Sequence, residues 1–373
     1  MQNRALMPDY LRLFALFGIV VVNVQFMAFS IDGGFFAAPE ISLADEIAIW
    51  LVGGLAYLKS YGLFSFMFGV GLAFQMRAAE RDALNFGALY RNRMFGLIFL
   101  GVLHGVLFFP GDILVTYGLI GFLLFRWRNW TAARLARVGA VLLVVQVVIG
   151  SGLLWIAPEG DPDLAALEQA IMTSGSVVDV LGFRAVSFLL VLVLLLVFQG
   201  ISALGWFCLG LAAVKAGLID APQHPLWRRA RRLCLLPGVA LSLVGAWIWV
   251  WGDARLGEVM ISFSAPLATL GYLGLIAAVA RPVQGVGAMV LKAGGASLTV
   301  YLGQSIVLST VFAPFGLQLW GVVSPLQSIL IALAVTLALI GFLIVWRRRF
   351  ALGPFEWVLR AITRRGLRQN GVG

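Results

Sequence analysis

Arg12 and Asn23 stand eleven residues apart in an apolar run, and eleven steps of about 100° return to nearly the same face of a helix. Asp9, three residues before Arg12, can pair with it on that face. One stripe therefore carries an ion pair at the mouth of a helix and an amide about 16 Å deeper, at 1.5 Å per residue. Of the two histidines, His224 falls in a basic loop beside Pro225 and needs no special role. His104 lies roughly 15 Å into an apolar run, and Gln304 reaches a similar depth in another. An imidazole exchanges a proton near neutral pH, which neither amide can do. Asn23, His104 and Gln304 are thus expected near one level. Mutual hydrogen bonding would make that arrangement structural; a shared cavity would make it functional. Asp112, after Pro110-Gly111, either caps the helix opening at Ile113 or orients the imidazole. Lys59, Ser60 and Tyr61 either contact a substrate or anchor a helix at an interface.

The elements that must carry these residues follow from composition. Of 373 residues, 61% are hydrophobic and 12% charged, with a mean hydropathy of +0.97. A soluble domain carries about a quarter charged residues, so a soluble fold is excluded. Apolar runs of about 20 residues, the length that spans a bilayer, number roughly ten. They cover 10–30, 58–76, 94–110, 113–127, 138–157, 187–214, 233–252, 256–280, 293–314 and 321–346. The third and fourth are short and joined at Pro110-Gly111-Asp112 as a tight hairpin; the sixth is long enough to be tilted or broken. Residues 42–57 are apolar with an acidic start and are not counted as a span. The expected fold is an all-α polytopic bundle, one membrane domain over 1–373, ending in a short amphipathic tail at about 350–373 that suits the bilayer surface. The 43 glycines would let helix backbones approach closely.

The net charge of +10 invites a nucleic-acid reading, which placement removes. Arg77, Arg81, Arg91 and Arg93, then Arg126, Arg128, Arg134 and Arg137, fall on alternate loops. So do Arg228, Arg229, Arg231 and Arg232, then Arg281 with Lys292, and finally Arg347, Arg348 and Arg349 with Arg360, Arg364, Arg365 and Arg368 in the tail. The acidic residues mostly take the other loops: Asp32, Glu40, Asp45 and Glu46; Asp112; Glu159, Asp161, Asp163 and Glu168; Asp253 and Glu258. The positive-inside rule then puts both termini in the cytoplasm, which requires an even number of spans. Basic residues dispersed over helix ends orient a chain and touch lipid phosphates; they do not build a nucleic-acid groove. The first apolar run contains Asp9 and Arg12 and lacks a small-residue cleavage pattern, so it is not a cleavable signal. Cys208 and Cys234 lie in apolar surroundings without metal or disulfide spacing, and no metal site is expected. No GxSxG, HExxH, P-loop or GxGxxG pattern stands in its proper context, and no internal repeat is evident.

Four stretches resemble the YeiB-like bacterial membrane proteins: PDYLRLFALFGIVVVN (8–23), FSFMFGVG (64–71), LHGVLFFPGDILVTYGLIG (103–121), and ASLTVYLGQS (296–305) with ALGPFEWVLRAIT (351–363). Leu13 departs from the pattern, which has Gly directly after Arg. That family is similar in turn to the transmembrane acyltransferases, including the acyltransferase-3 proteins and heparan glucosaminide acetyltransferase. Those carry an Arg on the first span followed eleven positions later by His or Asn, as Arg12 and Asn23 do here.

The resemblance implies an acyl-CoA donor such as acetyl-CoA, used from the cytoplasmic side of a bacterial inner membrane. The acceptor would be a small or lipid-like molecule with a hydroxyl or amine, reached within or across the membrane. His104 would take the acceptor's proton, Asn23 and Gln304 would position the acyl carbonyl, and Asp112 would orient the imidazole. Arg12 and Arg93 would hold the anionic donor, with Tyr117 and Ser305 as further substrate contacts. Membrane lipids are expected partners, and the glycines suit a homodimer as well as a monomer. A transporter or exporter of a small or lipid-like molecule is the alternative.

Overall fold

In a hydrocarbon environment every backbone N–H and C=O must be satisfied within its own segment, so apolar runs become helices. The computed structural model describes residues 6–156 and 160–366, which leaves Glu159 and Arg368 of the charge pattern outside the described residues. No strand occurs among them. The chain runs α1 (Met7–Asn23), α2 (Gln25–Ala28), α3 (Leu43–Leu55), α4 (Lys59–Arg81), α5 (Phe86–Leu107) and α6 (Leu114–Arg126). Then come α7 (Ala132–Ile156), α8 (Pro162–Ser174), α9 (Val177–Leu194), α10 (Gly200–Lys215), α11 (Pro225–Ala230) and α12 (Leu236–Trp251). The last five are α13 (Ala254–Val279), α14 (Gly285–Gly294), α15 (Ser297–Phe312), α16 (Pro325–Trp346) and α17 (Pro354–Arg364).

Seven helical stretches among the described residues are long and apolar enough to cross a membrane, and an eighth if the bent pair α14–α15 counts as one span. The expectation of about ten is thereby lowered. The shortfall falls on the hairpin: α6 has only 13 residues, and α5 carries Arg91 and Arg93 in its first turns. Exposed side chains such as Phe95, Phe99, Val144, Val148, Leu190 and Leu337 give the bundle the apolar exterior of a protein seated in lipid. The chain is a multi-pass helical membrane protein.

Local chemistry sets the breaks. Reciprocal capping boxes start α3 (Ser42 with Asp45), α9 (Ser176 with Asp179) and α16 (Ser324 with Gln327). Residues 42–57, uncounted from sequence, form α3, which continues almost directly into α4 across a left-handed Leu58 at φ 64°. The bundle holds α3 through the Trp50 indole N–H, which donates to the Leu243 carbonyl at 2.9 Å. The long sixth run is broken, as its length allows: five residues of π-helix, Leu195–Gln199, separate α9 from α10. Between α14 and α15 the axis turns by 79°.

Helices α4 and α10 cross where Gly69 faces the Phe207 carbonyl and Gly210 faces the Phe66 carbonyl; a Cβ at either position would overlap that backbone oxygen. This crossing brings the aromatic residues of α4 against the centre of the bundle. The tail helix α17 is amphipathic, with Trp357 exposed and Leu359 buried. Its buried side packs on α5 and α15, so it closes the basic end of the bundle as well as facing outward.

Candidate functional site

Helix α1 carries Arg12 to the basic end of the bundle, and α5 brings Arg93 to the same place. Both line one cavity of about 410 Å³ together with Arg360 and Arg364 of α17. Phe64, Phe68, Gln75 and Tyr117 form other parts of its wall. Arg12 keeps its ion pair with Asp9 at 2.9 Å. Arg93 lies within electrostatic reach of Arg12 and Glu356, and its Nε is buried without a hydrogen-bond partner. The cavity's two carboxylates are already engaged. Asp82 pairs with Arg81 at 3.0 Å and with Arg364 at 3.3 Å. Glu356 accepts from the Leu298 and Thr299 backbone N–H groups at 2.7 and 3.1 Å, and from the Thr299 hydroxyl at 2.6 Å. It thus caps the positive N-terminus of α15. Four guanidinium groups line it against two carboxylates, and even with Arg12 held by Asp9 and Arg364 by Asp82 the balance stays positive.

The hairpin between α5 and α6 folds Asp112 back onto His104. The His104 Nδ1 and an Asp112 carboxylate oxygen are 2.7 Å apart, and both side chains are buried. The other carboxylate oxygen accepts from the Leu114 and Val115 N–H groups at 2.8 and 3.1 Å. Asp112 therefore serves both sequence readings at once, cap and orienting partner. An ionised carboxylate only accepts, so Nδ1 is the donor to Asp112, and in the neutral imidazole Nε2 then presents its lone pair. That Nε2 is buried and has no hydrogen-bond partner. An imidazole held by a carboxylate with its second nitrogen unsatisfied is equipped to accept a proton. Tyr301 completes the group. Its hydroxyl is 3.5 Å from Asp112, and its ring centroid lies 5.2 Å from that of His104.

The two amides do not share a pocket with the imidazole. Asn23 Oδ1 accepts from the Tyr61 hydroxyl at 2.5 Å, and Gln304 donates to the Thr336 hydroxyl at 2.8 Å. Neither amide, nor His104, lines the cavities described here. Ser305 is buried on α15, one turn beyond Tyr301. The imidazole stands one layer behind the cationic cavity, whose wall includes Phe64; the rings of Tyr301 and Phe64 lie 6.2 Å apart. Lys59 is fully buried and donates to the Gly53 carbonyl at 2.8 Å, so it holds the α3–α4 break and is not an exposed anchor.

Tyr117 has a second surface. Its hydroxyl and that of Ser65 are 2.5 Å apart, and both residues line a further cavity of about 360 Å³ on the other side. That chamber lies between α4, α7, α10 and α13 and shares Phe26, Tyr61, Leu194, Leu195 and Gln199 with a smaller cavity of about 200 Å³ at Phe109-Pro110-Gly111. The Tyr117–Ser65 pair thus separates the cationic cavity from the two others. Tyr61 was a sequence candidate and lines both of these cavities, whereas spacing along the chain carried no sign of Ser65, Tyr301, Thr336 or Glu356. Tyr301 and Ser305 lie within one quoted motif and Glu356 within another, which was the signal available. Among the described residues no group of three or more His, Cys, Asp or Glu is placed to hold a metal ion.

Residues 213–366 match the family described as Protein of unknown function (DUF418). The chain is 27% identical to the uncharacterized protein YxaH of Bacillus subtilis, over 95% of this chain and 93% of that one. It is also 27% identical to the uncharacterized protein YeiB of Escherichia coli, over 98% and 97%. An uncharacterized 39.9 kDa protein from the amylase 3' region of Bacillus acidopullulyticus is 24% identical, over 95% and 92%. No solved structure matches the chain. The resemblance to YeiB-like proteins that the four motifs carry therefore extends along nearly the whole chain.

Proposed function

We propose that this protein is a membrane-embedded acyltransferase that moves an acyl group from acyl-CoA to a hydroxyl or amine acceptor. The observation that carries the reading is the buried His104–Asp112 pair, with Nε2 unsatisfied, behind the Tyr301 ring and the Phe64 ring of an arginine-lined cavity. The cavity's chemistry suits the donor. Guanidinium groups bind phosphate oxygens in bidentate fashion, and the open Nε of Arg93 is a donor awaiting an anion. Under the positive-inside rule this end of the bundle faces the cytoplasm, where acyl-CoA is found, in the inner membrane of a bacterium.

His104 Nε2 accepts the proton of the acceptor O–H or N–H as the acceptor atom bonds to the acyl carbon. Asp112 holds the imidazolium that forms. The carbon–sulfur bond then breaks, and His104 returns the proton to the departing thiolate. For Nε2 to reach the substrates, the Tyr301 and Phe64 rings must turn aside when the donor binds. Asn23 and Gln304 take supporting roles in this scheme, since each already holds a neighbouring helix through Tyr61 or Thr336.

Purified protein in nanodiscs, given labelled acetyl-CoA and fractionated acceptors, should form a labelled product, and His104→Ala should abolish it while still accumulating in the membrane. A fully active His104→Ala variant removes His104 from the mechanism. The succession of cavities on both sides of Tyr117 also favours a second reading, a transporter of a small or lipid-like molecule. Gradient-dependent uptake into vesicles without chemical change would favour it over the enzyme.

A further inference from the structure

The chamber beyond Tyr117 has an unusual balance of polar groups. Its walls are mainly apolar, from Leu143 and Val147 on α7 to Phe198 and Trp206 near α10. Glu258 is the one charged residue that lines it; no Lys, Arg or His does. The Tyr57 hydroxyl donates to one Glu258 oxygen at 2.8 Å, and the Tyr57 ring stacks on Trp249 at 5.7 Å, which fixes the carboxylate in place. Gln146 Oε1, on the same lining, is buried and has no hydrogen-bond partner. Pro266 has no N–H, so the Ser262 carbonyl loses its usual donor four residues on, and both residues line the chamber. Its side is formed by the π-helical segment at Leu195–Gln199, a local irregularity often found at functional sites.

These groups point in one chemical direction. A carboxylate, an amide oxygen and a freed carbonyl all accept hydrogen bonds. A carboxylate within a membrane bundle is costly unless a partner charge or a wet site offsets it. At about 360 Å³, the chamber is within the usual size range of small-molecule sites.

We infer that this chamber binds an amphiphile with a protonated amine head and a hydrocarbon chain. The ammonium lies at Glu258, with Gln146 and the Ser262 carbonyl as further acceptors, and the chain runs along the apolar wall toward Ser65 and Tyr117. Binding stands on the chamber alone.

The test uses the full chain in nanodiscs with three probes of equal chain length: dodecylamine, dodecanol and dodecanoate. Binding is followed by native mass spectrometry. Dodecylamine should bind at least tenfold more tightly than the other two. Glu258→Gln should remove that preference, Gln146→Leu should weaken amine binding several-fold, and Ala265→Trp, which fills the chamber, should abolish binding of all three. Equal affinity for amine and carboxylate, or unchanged amine affinity in both Glu258→Gln and Gln146→Leu, overturns the inference. Tight amine binding with no acetyl transfer to any acceptor would sink the enzymatic reading and leave the site standing. Transfer to other acceptors with no amine binding would do the reverse.

Discussion

At the scale of single residues, the geometry around His104 makes Asp112 a positioning residue. Its two oxygens do different work: one holds the imidazole Nδ1–H, and the other ties down the first turn of α6. Asp112→Asn keeps an acceptor for the α6 N–H groups but turns an amide N–H₂ toward Nδ1. That favours the tautomer with the proton on Nε2, which cannot serve as a base. Acyl transfer should fall by about 10²- to 10⁴-fold in kcat, the usual worth of general-base catalysis, with the donor KM unchanged. Asp112→Glu should not restore it, because the short hairpin leaves no room to shift the carboxylate. Arg93→Leu acts at the other end of the site. It removes a guanidinium from the cationic cavity, so the donor KM should rise about tenfold or more while kcat changes little, the signature of lost ground-state binding. Equal kcat losses in both variants would contradict this division of roles.

At the scale of elements, the α4–α10 crossing shows how small residues set the position of the site. Gly69 and Gly210 let two backbones meet where any Cβ would strike a carbonyl. Gly69→Val must push α10 away and carry Phe207 with it, loosening the stack of Phe207 on Phe68 beside Tyr117. A loss of about 1–3 kcal/mol, typical of overpacking, should appear as a lower thermal midpoint in nanodiscs.

The outer helix α8 is fastened differently. Glu168 accepts from the Ser30 hydroxyl at 2.8 Å and from the Ile31 N–H at 3.1 Å. Burial pushes its carboxyl above the ordinary range, an effect that these two hydrogen bonds oppose and nearby Asp32 reinforces. The folded state therefore binds this proton more tightly than the unfolded state does. Its contribution to stability is full below the ordinary carboxylate pKa and declines as pH rises through the raised value. Glu168→Gln should flatten the fall in thermal midpoint over that interval. An unchanged pH slope would show that the clasp does not titrate.

Across the whole molecule, the basic and acidic helix ends make opposite predictions for surface access. A cysteine in place of exposed Ser174 should react with an impermeant maleimide on intact cells, and one in place of exposed Arg229 only after permeabilisation. The native Cys208 is buried and Cys234 half-buried, so background labelling should be low. Labelling in the reverse order would invert the orientation and put the cationic cavity on the side without acyl-CoA. The Tyr117–Ser65 partition also belongs to this scale, because it divides cavities built by helices far apart in sequence.

The amino-acid sequence by itself determined the helical membrane character, the break at Pro110-Gly111 and the gathering of cations at alternate ends, while for the long sixth run it left tilting and breaking both open. Each of these depends on local causes: apolar length, capping residues, and charge that lipid will not accept. It also brought Asp9 to Arg12, three residues apart on one helix, and put His104 within a short hairpin of Asp112. Only the tertiary structure decided that Asn23 meets Tyr61, that Gln304 meets Thr336, and that Glu356 caps α15 from 57 residues away. The chamber around Glu258 has the same origin, since its walls come from four helices that do not follow one another. A span's depth can be counted along its own axis. Which way the side chain turns, and what it meets there, depends on rotation and crossing angles set by every other helix in the bundle.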